Sequence, residues 1–88
     1  MTPEQAEQLR HATREFLAVR FPTAHAPRAI LRTVAREVDF PVTESDVITA
    51  CQFLAGLSEA KFERDPLGAT NYWSATSAGV LAHERGGR

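Results

Sequence analysis

Arg28, Arg32 and Arg36 are the clearest charged feature of this 88-residue chain, and they recur at four-residue intervals. On a helix this spacing stacks three guanidinium groups along one stripe. No acidic residue lies three or four positions from Arg28 or Arg32, so nothing on the same helix face neutralises them. Each planar fork can then donate two parallel hydrogen bonds to an anion, and phosphate oxygens fit that geometry. The same stripe also arises as the plain solvated face of an amphipathic helix.

Other reactive side chains do not assemble. His11, His25, His83 and Cys51 have no spacing that would bring metal ligands together. The sequence holds no glycine-rich phosphate loop, no serine nucleophile motif and no close carboxylate pair, so neither nucleophilic nor general acid–base catalysis has a candidate. The expectation is a protein that is not an enzyme and carries no cofactor and no metal.

Composition narrows the class. Hydrophobic residues make up 43% and charged residues 24%, an ordinary globular mixture. A single domain over residues 1–88 is expected. Such a chain buries roughly two-thirds of its unfolded surface, which leaves little room for an enclosed catalytic cavity. With a net charge of −1 and a pI of about 6.3, attraction to nucleic acid has to be local. The lone Cys51 cannot form an internal disulfide, and no stretch reads as a membrane span or signal peptide, so a cytoplasmic protein without membrane contact is expected.

The arginines need a helix to align them, and its signals are present. Thr2, Pro3 and Gln5 form a capping box with a first-turn proline, predicting a helix to about Arg20 whose buried face holds Ala6, Leu9, Thr13, Phe16 and Leu17. Phe21 to Ala26 contains Pro22 and predicts an extended piece or short edge strand. Pro27 opens a second helix through Ile30, Leu31, Val34 and Val38, ended by Asp39, Phe40 and Pro41. Thr43 and Asp46 cap a third helix to Leu57, with Val42 and Val47 as a hydrophobic staple. Its buried side is Val47, Ala50, Cys51 and Leu54; Ser45, Thr49, Gln52 and Gly56 lie opposite. Beyond Leu57 the period changes: Ala60 to Arg64 and Asn71 to Ala75 flank the turn sequence Asp65, Pro66, Leu67, Gly68 and predict an antiparallel hairpin. Thr76 or Ser77 caps a last short helix through Val80, Leu81 and Glu84, stopped by Gly86, with Gly87 and Arg88 as a frayed end.

Two short helices joined by the tight Asp39 to Thr43 connection and followed by a hairpin give a mainly α fold with a small β element, and this order resembles the winged helix-turn-helix. The segment Tyr72, Trp73, Ser74, Ala75, Thr76, Ser77, Ala78, Gly79 resembles the aromatic strand, threonine and glycine that close the wing in many bacterial winged-helix regulators. The likeness spans Phe21 to Arg85, and the chain is also similar to small winged-helix proteins of Mu-like prophages. The resemblance implies duplex DNA as partner. It puts the third helix in the major groove with Ser45, Thr49 and Gln52 as base readers, Arg28, Arg32 and Arg36 on phosphates, and Lys61 and Arg64 assisting from a wing over Lys61 to Tyr72. A second copy, as a homodimer, would raise affinity for DNA.

Three features favour a different partner. The third helix contains no lysine or arginine and begins with Glu44 and Asp46, so the common arginine-to-guanine contact is missing. In the wing, Lys61 and Arg64 are offset by Glu63 and Asp65. Its tip, Leu67, Gly68 and Ala69, is apolar. The alternative is therefore a winged helix that contacts another protein and does not bind DNA.

Overall fold

Three threonines set where helices begin. In the computed structural model, which describes residues 1–68 and 70–86, the elements are α1 (Pro3–Val19), α2 (Pro27–Glu37), α3 (Glu44–Gly56), β1 (Ala60–Arg64), β2 (Asn71–Ala75) and α4 (Ser77–Glu84). The expectations for Ala69 and for Gly87 and Arg88 lie outside the described residues. Thr2 accepts from the Gln5 amide at 3.1 Å while its own amide donates to the Gln5 side chain at 3.0 Å. Thr43 and Asp46 exchange the same reciprocal pair at 3.2 and 2.9 Å, and Thr76 accepts from the Gly79 amide at 3.1 Å. Each bond satisfies an amide that the helix ladder leaves orphaned. α2 has no side-chain cap and starts instead on Pro27 at its first turn.

The helical spacing of α2 extends on paper to Val38, but the helix stops at Glu37 and Val38 is extended, with φ −115 and ψ 155. Leaving the helix still lets Val38 pack against the core, half-buried. That core draws on every helix turn that faces inward: Leu9, Phe16 and Leu17 from α1, Ile30 and Val34 from α2, Val47, Cys51 and Leu54 from α3, with Ala60, Trp73 and Ala75 from the strands. Burying these side chains is the main drive for assembly, at about 25 cal/mol per Å² of apolar surface.

The strands pair antiparallel in the register Ala60↔Ala75, Phe62↔Trp73 and Arg64↔Asn71. The turn between them is closed by the Gly68 amide donating to the Asp65 carbonyl at 3.3 Å and the Leu67 amide donating to the Asp65 carboxylate at 3.0 Å. The expected edge strand before α2 narrows to one bridge, in which His25 and Trp73 exchange backbone bonds at 2.8 and 2.9 Å. Prolines on both sides, Pro22 and Pro27, keep this segment from extending the ladder. The hairpin base is fastened to the turn after α3. Ser58 there has a φ of 62, the Thr76 hydroxyl donates to the Ser58 carbonyl at 2.6 Å, and the Thr76 amide donates to the Glu59 carbonyl at 3.2 Å. Four helices and this two-stranded hairpin make a winged helix.

Candidate nucleic-acid interface

α3 is turned as its pattern predicts. Val47, Ala50, Cys51 and Leu54 are buried, while Ser45, Thr49, Gln52 and Gly56 are exposed on the opposite side. From Val47 to Ser58 no residue carries a formal charge. The hydroxyl of Thr49 donates to the Ser45 carbonyl at 3.1 Å, so this side chain has already used its proton within the helix. Burial pushes the Cys51 thiol up to about 12, because a thiolate in the apolar core would lose its hydration.

The carboxylates at the start of α3 are both engaged. Asp46 accepts from the Thr43 amide in the capping box. Glu44 faces Arg28 at 3.6 Å, with side chains 48% and 81% exposed respectively. This corrects the reading of an unpaired arginine stripe: the partner of Arg28 comes from the next helix, outside the three-or-four-residue window in which a helix supplies its own ion pairs. Arg32 and Arg36 are exposed, and among the described residues neither has an ion-pair partner. A four-residue step turns an α-helix by about 400°, so the stripe drifts about 40° per step while rising about 6 Å. Arg28 sits beside α3, and Arg36 lies about 80° round the helix from it.

Between α3 and the wing runs an open groove of about 640 Å³, lined by Glu44, Ile48 and Gln52 on one side and Phe62, Asn71 and Trp73 on the other. Strand alternation decides which wing cation belongs to it. Phe62 and Arg64 pair with Trp73 and Asn71, on the groove face; Lys61 pairs with Ser74, on the other face. The structure brings Arg64 toward the α3 side and Lys61 away from it. Glu63 shares the face of Lys61 and accepts from the Ser74 hydroxyl at 2.9 Å.

Phe62 and Asn71 are groove residues that the sequence alone did not single out as a pair with α3. The period-2 register, which puts Phe62, Arg64, Asn71 and Trp73 on one face, is the signal that identifies them. Phe62 is 47% exposed while its partner Trp73 is 5% exposed, and their rings meet edge-on at 5.2 Å. Elsewhere, Arg10 of α1 lies over the half-exposed Phe53 ring at 4.2 Å. Among the described residues no group of three or more His, Cys, Asp or Glu is placed to hold a metal ion, and no helix is long and apolar enough to cross a membrane.

No protein-family profile and no curated protein sequence matches the chain. Solved structures do. A double mutant of Lactococcus lactis ZitR superposes with a TM-score of 0.68 at 16% identity, over 89% of this chain and 48% of that one. A single mutant of the same protein gives 0.63 at 17% identity, over 85% of this chain and 49% of that one. The chain thus spans about half the length of the neighbours it matches, and what it shares with Lactococcus lactis ZitR at this identity is the fold.

Proposed function

We propose that the chain is a winged-helix DNA-binding module of the transcription-regulator kind, working on duplex DNA in the cytoplasm of a bacterium or in a phage-infected cell. α3 presents Ser45, Thr49 and Gln52 to the major groove, Arg32 and Arg36 take phosphates, and Arg28 and the wing residue Arg64 flank the groove beside α3. Lys61, on the far face of the hairpin, adds positive charge at longer range. The observation that carries this reading is that both acids opening α3 are held by the chain's own groups, one by Arg28 and one by the Thr43 amide. Their charge is thereby partly offset before any phosphate approaches. A second copy would double the contacts and supply affinity that one small module lacks.

One observation favours a second reading, in which the wing docks on a protein. Leu67 at the wing tip is 97% exposed, which costs apolar hydration that a partner would relieve. Titrating labelled mixed-sequence duplex at two salt concentrations separates the two. If Arg32 and Arg36 each neutralise one phosphate while Arg28 stays on Glu44, log affinity falls with log salt by roughly 0.9 per contact, or about 2 per protomer. Replacing Arg28, Arg32 and Arg36 together with alanine then removes most binding and flattens that slope. Absence of wild-type binding at low salt, together with loss of self-association or partner capture on Leu67→Ser, selects the protein-docking reading.

A further inference from the structure

The exposed face of α3 carries only two side chains whose chemistry is specific enough to discriminate base pairs. Gln52 is exposed and its side chain makes no hydrogen bond to the rest of the chain among the described residues, so its carboxamide keeps one donor and one acceptor side by side. That pair matches the N7 acceptor and N6 donor of adenine in the major groove, and no other base shows this pattern there. Thr49 is different. Its hydroxyl proton is committed to the Ser45 carbonyl, so outward the hydroxyl can accept but not donate, and the methyl is the other group this exposed side chain carries. Three residues apart on a helix, Thr49 and Gln52 are neighbours on one face. Gly56, the next residue along that face, adds no side chain and has open space around it.

We infer, resting on the DNA-binding reading above, that α3 selects A·T base pairs, with Gln52 hydrogen-bonding adenine and the Thr49 methyl packing on a thymine methyl. Thr49 is then an apolar reader in spite of its hydroxyl. Ser45, whose small hydroxyl can bond any base, contributes no preference. With no arginine on the helix, G·C pairs are left without a bidentate partner.

The test uses selection from a randomised duplex pool, followed by affinity measurements on the selected duplex and on copies carrying single uracil-for-thymine or 7-deazaadenine replacements. Thr49→Val keeps the methyl and loses the hydroxyl; Thr49→Ser does the reverse. Wild type should enrich A·T pairs and lose about fourfold in affinity when the contacted thymine loses its methyl, the expected worth of one buried methyl group. Thr49→Val should retain that sensitivity and Thr49→Ser should abolish it. Gln52→Ala should reduce the A·T preference about tenfold and remove the 7-deazaadenine penalty. Circular dichroism confirms that each variant is folded. Retention of the preference in Thr49→Ser with its loss in Thr49→Val would overturn the inference, as would binding to mixed-sequence duplex with no A·T enrichment; both leave the DNA-binding reading standing. No binding to any duplex at low salt removes both.

Discussion

Arg14 of α1 donates to the carboxylate of Glu59 at 3.1 Å, with side chains only 14% and 18% exposed. The two residues are 45 positions apart, and the contact ties the first helix to the turn from which the wing departs. Removing one partner of a pair this well buried leaves the other charge poorly solvated. Glu59→Ala should cost about 2 kcal/mol in urea unfolding, discounted from a fully buried pair for the remaining solvent access. A loss below about 0.5 kcal/mol would mean that water already screens the pair.

Gly79 meets the same turn from the other side. A methyl group built on it would overlap the Glu59 carbonyl oxygen, whereas one built on Gly56 would meet nothing within 4 Å. Gly79→Ala should therefore destabilise by about 3 kcal/mol, because backbone cannot move aside as a flexible side chain would. Gly56→Ala should be neutral or stabilising by about 0.5–1 kcal/mol. Thermal melts of the two variants should move in opposite directions or differ by about 10 °C or more.

Cys51 is fully buried, and its thiol is pushed up to about 12 from a usual 9.0. Labelling by a thiol reagent should be slow in the native state and stay slow between pH 7 and 9, where a free cysteine accelerates as thiolate forms. Added urea should restore fast labelling. Rapid native reaction would place the side chain outside the core.

His25 sits edge-on to Phe16 at 5.0 Å, and its Nε2 is buried with no hydrogen-bond partner among the described residues. Burial, with the Arg20 guanidinium as the lesser cause, holds its pKa below the usual 6.5. The unfolded chain therefore binds the proton first. Stability from the neutral ring is fully present above about pH 6.5 and is lost as pH falls toward the lowered folded value. His25→Gln should flatten the fall in unfolding free energy measured from pH 7 down to 5; an unchanged slope would assign the effect to other groups.

The Arg28–Glu44 pair is solvent-exposed, so Glu44→Gln should change stability by less than about 1 kcal/mol. Under the proposed function it should nevertheless strengthen binding to duplex at low salt several-fold, by freeing Arg28 for phosphate and removing a like charge. Fluorescence anisotropy at two salt concentrations measures this. Weaker binding would show that Glu44 positions Arg28 productively.

What could be read from the chain divides by the range of the interaction. The starts at Thr2 and Thr43 and the turn at Asp65 to Gly68 rest on bonds spanning a few residues, so residue type and spacing were enough; at the last helix they left Thr76 and Ser77 as alternatives, and Thr76 is the cap. Ser45, Thr49 and Gln52 were legible as an outward face for the same reason, since Val47, Ala50, Cys51 and Leu54 define the inward one. The partners of Arg28 and Arg14 were not legible, because helix-local spacing says nothing of a carboxylate on another element. Strand alternation alone puts Lys61 and Arg64 on opposite faces; which of them takes the α3 side was not legible until the register placed Phe62 opposite Trp73 beside the groove.

The reciprocal bonds between Thr43 and Asp46 do more than finish a helix end. Each residue of α3 is rotated about 100° from the last, so the residue at which the helix begins acts as an index mark for every side chain after it. One residue inserted between Asp46 and Val47 would keep that start and swing the downstream turns by 100°. The chain would then have to choose between burying Cys51 and presenting Gln52.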